Sequence, residues 1–151
     1  MEMGAVKITS PAFKQRERIP PKYTCDGMDV NPPLTIENVP LKAKSLALIV
    51  DDPDAPRGTW VHWVLWNVDP GTREIKEQSI PTGATQGVND FGNRDYGGPC
   101  PPSGTHRYFF KLYALDTALT LGPDATKAAL EVAMKGHILA EAEIIGLYER
   151  K

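Results

Sequence analysis

The grouping of fourteen prolines is the feature of this sequence that most restricts its fold. Because proline fixes φ and lacks a backbone N–H, its clusters form stiff connections between strands. Such connections are suited to holding a preformed site. The clusters are Pro20-Pro21, Pro32-Pro33, Pro53 to Pro56, and Pro99 to Pro102.

Between these clusters, segments rich in β-branched and aromatic residues predict strands. The segment 45–51 is almost entirely apolar, which is typical of a strand buried on both faces. Segments 59–68 and 106–115 predict two further long strands. Shorter candidates are residues 5–9, 34–37 and 142–150.

One helix is predicted from about Ala125 to Lys135, with Asp124 as its N-cap and Gly136 in the left-handed conformation at its end. The polar segment 71–95 is predicted to form one or two long loops. Strands dominate, so the predicted class is α+β, mostly β: an antiparallel β-sandwich with one or two peripheral helices. The length favours a single domain, residues 1–151.

The charge balance, 17 basic against 19 acidic residues, gives no overall attraction to nucleic acid. The longest aliphatic stretch, Leu46 to Val50, is too short for a transmembrane segment, and residues 1–13 lack the apolar run of a signal peptide. We therefore expect a cytoplasmic protein. In that compartment Cys25 and Cys100 are expected to be free thiols, although the sequence alone leaves a bridge between them open.

Strand alternation predicts which polar side chains share a face. It places His62 on one face with Trp60, Val64 and Trp66, and places Val61, Trp63 and Leu65 on the other. His106 shares a face with Tyr108. We predict that both histidines, Tyr108 and Asp52 converge on one polar pocket.

Each of these residues also has a simpler structural interpretation. A histidine among apolar neighbours commonly bonds a backbone carbonyl, and a buried tyrosine commonly only packs. Asp52 and Asp54 beside prolines are typical turn formers, and His137 is expected to cap the helix. We find no phosphate loop, nucleophile motif or metal-ligand spacing, so no catalytic residue, cofactor or zinc site is predicted.

Two long motifs identify a family resemblance. The run Asp51 to Pro56 followed by Trp60 to Trp63 resembles the first signature of the phosphatidylethanolamine-binding protein family. The run Gly97 to Tyr108 resembles its second signature. Shorter matches to the prokaryotic branch are Ser10 to Phe13, Tyr23 to Gly27, Asn31 to Leu34, Gly136 to Leu139, and Gly146 to Tyr148.

The resemblance implies an antiparallel β-fold with a small anion-binding cavity and without known catalytic chemistry. Family members bind phosphate-bearing head groups, and several inhibit kinases or serine proteases. Two prolines flank the tight turn after Asp52, and this pattern, together with the resemblance, favours a cis peptide at Ala55–Pro56. Carried over residue by residue, it implies a cavity formed by Asp52, Asp54, Ala55, Pro56, Trp60, His62, Gly98, Pro101, Pro102, His106 and Tyr108.

The main hypothesis is a binding protein for a small phosphorylated molecule or a phospholipid head group. Imidazole and phenol groups, with backbone N–H groups of the glycine–proline loop, would contact the anion. One alternative is a hydrolase or isomerase that uses Asp52 with His62 or His106 as acid and base. Another is an interaction or inhibitor module for a kinase or serine protease, and a homodimer is left open.

Overall fold

The structure, a computed structural model, describes residues 5–150. Its secondary structure comprises eight strands, one α-helix and one 3-10 turn. The strands are β1 (Lys7–Thr9), β2 (Leu34–Glu37), β3 (Ser45–Asp52), β4 (Trp60–Val68), β5 (Glu74–Ile75), β6 (Thr85–Gln86), β7 (His106–Leu115) and β8 (Ile138–Tyr148). The α-helix, α1, is Lys127–Met134, and the 3-10 turn is Pro21–Tyr23.

The strands form two antiparallel sheets. The larger sheet has the order β6-β4-β3-β7-β8, and the smaller has the order β1-β2-β5. Apolar residues of β3, β4 and β7 pack against β1, β2 and β5 in one core. This arrangement confirms the predicted class, α+β and mostly β.

Strand β3 is buried on both faces because the larger sheet has a core on each side. Leu46, Leu48 and Val50 face the smaller sheet. Ala47 and Ile49 face a second core, which α1 completes with Leu130 and Met134. All eight residues of β3 are therefore buried, as its apolar sequence predicts.

Several element boundaries differ from the predictions. Strand β8 begins at Ile138 instead of residue 142, and the segment predicted only as loops contains β5 and β6. Helix α1 begins after Thr126, and Asp124 does not cap it. Asp124 instead pairs with Arg94 across the surface. Gly136 has the predicted left-handed conformation, with φ of 83°.

The prediction that β4 alternates regularly is wrong because β4 contains a β-bulge. Val50 pairs with Trp63 and Asp51 pairs with Val61, so His62 is the extra residue. Val61 consequently lies with Val64 and Trp66 in the second core. His62 instead contacts the ring of Tyr108, which belongs to the first core.

The expectation of free thiols is also wrong, because Cys25 and Cys100 form a disulfide. Their Cα atoms are 5.4 Å apart, within the usual range for a bridge. The Cys25 N–H also donates to the Pro99 carbonyl oxygen at 3.1 Å, which holds the two loops side by side. Within residues 5–150, no helix combines the length and apolarity needed to cross a bilayer.

The disulfide closes a long stretch of chain, since its cysteines are 75 positions apart. We predict that the double variant Cys25→Ser/Cys100→Ser loses about 2–4 kcal/mol of unfolding free energy, because the unfolded chain regains conformational freedom. Urea unfolding of both proteins under oxidising conditions is the measurement. An unchanged unfolding free energy would contradict the prediction.

Candidate functional site

A cavity of about 200 Å³ lies where β3 ends and where β4 and β7 begin. It brings together Asp52, His62, His106 and Tyr108, although they come from separate segments. The complete lining is Asp52, Ala55, Pro56, Trp60, His62, Phe91, Cys100, Pro101, Pro102, His106 and Tyr108. Ligand binding by these residues stays a prediction at this point.

Asp52 and His106 form the central polar contact of the cavity. His106 Nδ1 lies 2.7 Å from Asp52 Oδ2, and both side chains are buried. Because a carboxylate only accepts hydrogen bonds, Nδ1 is the donor and Nε2 is the nitrogen left for a ligand. Asp52 Oδ1 accepts from the Asp54 backbone N–H at 2.7 Å, which fixes the carboxylate further.

His62 is held in a different way, by the backbone of the opposite loop. Its Nδ1 donates to the Gly97 carbonyl oxygen at 2.6 Å, and the Gly97 N–H donates back to the His62 carbonyl oxygen at 3.0 Å. The structural interpretation of His62 is therefore correct for Nδ1, yet the ring also lines the cavity. Burial lowers the pKa of His62, so the neutral ring presents Nε2 as an acceptor.

Tyr108 supplies a donor between the two imidazoles. Its ring meets His62 edge-on at a centroid distance of 5.2 Å and stacks on His106 at 6.4 Å. Burial, and then the negative charge of Asp52, raise the pKa of Tyr108 well above its ordinary value, so the phenol keeps its proton. Within residues 5–150, its buried hydroxyl lies near Asp52 and the Cys100 backbone but makes no hydrogen bond of ordinary geometry. That hydroxyl is therefore a candidate ligand contact.

Two residues that the resemblance implies, Asp54 and Gly98, do not line the cavity. Asp54 accepts from the backbone N–H of Arg107 and from two nitrogens of its guanidinium, at 2.8–2.9 Å. Gly98 donates its N–H to Asp29 at 2.7 Å, and a Cβ on it would overlap Asp29 and the Tyr23 carbonyl. Both residues hold the walls of the cavity in place.

The glycine–proline loop offers the cavity fewer backbone donors than expected. The N–H groups of Gly97 and Gly98 are already used, by the His62 carbonyl and by Asp29. Pro101 and Pro102, which line the cavity, have no N–H, so Cys100 is the one lining residue of this loop that has a backbone donor. The donors available to an anion are therefore mainly side chains.

The prediction of a cis peptide at Ala55–Pro56 is wrong, because this bond is trans. The side chain of Asp52 turns the chain by accepting the Asp54 N–H, and the Gly58 N–H bonds the Ala55 carbonyl at 3.1 Å. A trans peptide therefore fits within these turns.

Phe91 and Cys100 line the cavity but escaped the sequence reasoning. Phe91 packs edge-on against Trp60 at a centroid distance of 5.4 Å, and both rings are partly exposed at the mouth. Phe91 lies in the segment predicted only as polar loops. A large aromatic side chain among Asn, Asp and Gly was the signal that could have identified it.

Within residues 5–150, no group of three or more His, Cys, Asp or Glu side chains is arranged to hold a metal ion. The cavity itself offers one carboxylate and two imidazoles. One nitrogen of each imidazole is already engaged, by Asp52 or by Gly97. We therefore assign no metal ligand, and the absence of zinc in the purified protein stays a prediction.

The three hydrogen bonds from Arg107 to Asp54 are expected to stabilise the fold in a pH-dependent way. Hydrogen bonds from the Arg107 side chain lower the pKa of Asp54 to about 2. Since the unfolded-state pKa is about 3.9, the contribution is fully present above about pH 4 and is lost as the pH falls through the folded-state pKa. We expect the difference in unfolding free energy between wild type and Asp54→Asn to shrink over that range.

Urea unfolding of both proteins at a series of acidic pH values measures this difference. The control is Asp124→Asn, which removes the ion pair between Asp124 and Arg94. That pair is more exposed to solvent than the pair between Asp54 and Arg107, so its loss should have little effect. If the difference in unfolding free energy between wild type and Asp54→Asn stays constant with pH, the hydrogen bonds from Arg107 do not stabilise the ionised form of Asp54.

The sequence is similar to those of a known protein family. The family model described as phosphatidylethanolamine-binding protein matches residues 9–149. A UPF0098 protein of Methanothermobacter thermautotrophicus is 53% identical over 150 residues, covering 96% of this chain and 99% of the relative. A UPF0098 protein of Pyrococcus abyssi is 53% identical, covering 97% of this chain and 86% of the relative.

Solved structures show the same fold. A phosphatidylethanolamine-binding protein homologue from Chlamydia trachomatis superimposes with a TM-score of 0.94 at 44% identity, covering 97% of this chain and 99% of the other. E. coli YbcL, described as a member of the mammalian PEBP family, gives a TM-score of 0.91 at 34% identity, covering 98% and 100%. This chain therefore belongs to the phosphatidylethanolamine-binding protein family.

Proposed function

We propose that the cavity binds a small phosphate-bearing molecule, such as a phosphate monoester or the head group of a phospholipid. The observation that carries the proposal is the unpartnered Tyr108 hydroxyl in a cavity that also contains Nε2 of two fixed imidazoles. These three groups can contact three oxygens of one phosphate group. Family membership supports a ligand-binding role in general.

The positions of the protons on the two histidines restrict which ionisation state of a phosphate can bind. Nδ1 of each histidine is a donor, so Nε2 of a neutral ring is an acceptor. A fully ionised phosphate would then place its oxygens against two lone pairs. Binding therefore requires either a protonated imidazole or a protonated phosphate oxygen.

Asp52 is the charged partner of His106 in the cavity. A carboxylate 2.7 Å from Nδ1 compensates the imidazolium charge, and the Nε2 proton then points to a ligand. The stiff walls also hold the cavity open, which lowers the conformational cost of binding.

We predict that His106→Ala weakens the binding of methyl phosphate by about tenfold or more, because it removes a charge-assisted hydrogen bond. Isothermal titration calorimetry measures the affinity. His137→Ala is the matched control, since His137 pairs with Asp116 on the exposed surface outside the cavity. Equal affinities of wild type and His106→Ala would refute this role for His106.

We also predict that binding of dimethyl phosphate strengthens as the pH falls from about 8 to about 5, because protonation gives an imidazole a second N–H. The single charge of this probe does not change over that range. Burial lowers the pKa of His62, so its contribution appears below the ordinary histidine value. Methyl phosphate loses charge near pH 6, so its affinity should instead pass through a maximum.

Calorimetric titrations with both probes test the pH dependence. If the affinity for dimethyl phosphate is flat with pH, proton uptake by the histidines does not contribute to binding.

The hydrogen bond between His106 and Asp52 favours a second candidate function, acid–base catalysis. A carboxylate that orients imidazole Nδ1 leaves Nε2 able to accept a proton from a substrate. Hydrolysis of p-nitrophenyl phosphate, compared between wild type and Asp52→Asn, distinguishes the two candidates. Turnover that is lost in the variant would favour an enzyme, and its absence in wild type would favour binding alone.

An interaction with a kinase or serine protease, or with a second copy of the chain, is a further proposal for the surface around the cavity. The exposed parts of Trp60 and Phe91 support it, because aromatic side chains are enriched at protein interfaces.

A further inference from the structure

We propose that the Cys25–Cys100 disulfide is a redox modification site that controls the cavity, so that its reduction by a dithiol loosens the cavity wall and weakens ligand binding. The ligand readout of this proposal rests on the proposed function above. The structural readout, the environment of the cavity histidines, does not.

The first support is the position of the bridge. Cys100 lines the cavity beside Pro101 and Pro102. Its partner, Cys25, lies in the loop that follows the 3-10 turn. Both cysteines are partly exposed, so a reductant can approach them.

The second support is the distribution of the other contacts along this wall. Residues that precede Cys100 are held independently of the disulfide. Tyr96 donates its hydroxyl to the Tyr23 carbonyl at 2.7 Å, Gly98 bonds Asp29, and Pro99 accepts from the Cys25 N–H.

Residues 101–105 are different, because no hydrogen bond between them and the rest of residues 5–150 is present. The bridge fixes one end of this segment and β7 begins at its other end, with His106. Pro101 is buried by packing, whereas Pro102 and residues 103–105 are exposed. Reduction would therefore loosen Pro102 and the approach to His106, while the preceding residues stay attached. The disulfide is the covalent restraint on this part of the wall.

The chemistry needs a dithiol as the reductant. One of its thiolates attacks a sulfur of the bridge, the S–S bond breaks, and a mixed disulfide forms. The second thiol of the reductant then displaces the remaining cysteine sulfur. Two electrons and two protons move to Cys25 and Cys100, which become thiols, and the reductant becomes a cyclic disulfide.

Thermodynamic linkage gives this proposal a reciprocal consequence. If the oxidised form binds a ligand more tightly, the ligand must stabilise the disulfide against reduction by the same factor. Methyl phosphate should therefore shift the redox equilibrium of the bridge with dithiothreitol toward the oxidised form.

The experiment compares the full chain before and after reduction with dithiothreitol. Calorimetry with methyl phosphate measures the affinity, NMR measures the ring resonances of His62 and His106, and circular dichroism monitors the fold. We expect a folded reduced protein with shifted resonances of one or both histidines and an affinity about tenfold lower. Cys25→Ser/Cys100→Ser should match reduced wild type, with or without dithiothreitol.

Tyr96→Phe is the matched control, because it removes a different tie of the same loop and leaves the bridge intact. It should keep the affinity of oxidised wild type. Unchanged affinity and unchanged histidine resonances on reduction would overturn the proposal. Global unfolding on reduction would overturn it too, because the bridge would then only support the fold.

The same measurements separate the two proposals. If neither redox form binds methyl phosphate, the proposed function fails, and the histidine resonances alone decide the redox proposal. If the oxidised form binds and reduction changes nothing, only the redox proposal fails.

Discussion

The hydrogen bond between Asp52 and His106 depends on the pairing of β3 with β7 and determines what the cavity can do. Asp51, the preceding residue, points to the opposite face, where its buried carboxylate binds Lys111 and Lys127. The two adjacent carboxylates on this buried strand thus have separate partners, two lysines for Asp51 and His106 for Asp52. Because an uncompensated buried charge is costly, the end of β3 is stable only if these three partners are in place. The cavity is therefore built onto the centre of the larger sheet instead of being carried by a mobile loop.

Local pattern was sufficient to predict the regular parts of this architecture. The bounds of β2 and β7 and the double burial of β3 follow from residue type and alternation. The bulge at His62 could not be predicted, because it is a property of the register between two strands and not of either strand alone. Phe91 was missed for a related reason, since the path of its loop depends on long-range contacts such as that with His62. The thiol state was inferred from the expected compartment, whereas it depends on the distance between two loops.

The bulge explains how a strand of the sheet delivers a histidine to the cavity. Regular alternation would direct His62 toward the second core, with Val64 and Trp66. One extra residue turns it toward Tyr108 and brings Val61 against that core instead. Bulges often lie beside functional sites because they redirect a single side chain without disturbing the rest of the sheet. Here the reciprocal bonds between His62 and Gly97 hold the redirected residue in place.

The prolines beside the cavity, Pro99, Pro101 and Pro102, restrict how another protein can bind there. Peptides are often recognised by strand addition, in which backbone N–H and C=O groups of an exposed edge pair with those of the guest. Pro99, Pro101 and Pro102 cannot donate, so this rim cannot template an added strand. A protein partner would have to recognise the mouth through side chains, with Trp60 and Phe91 as the exposed apolar contacts.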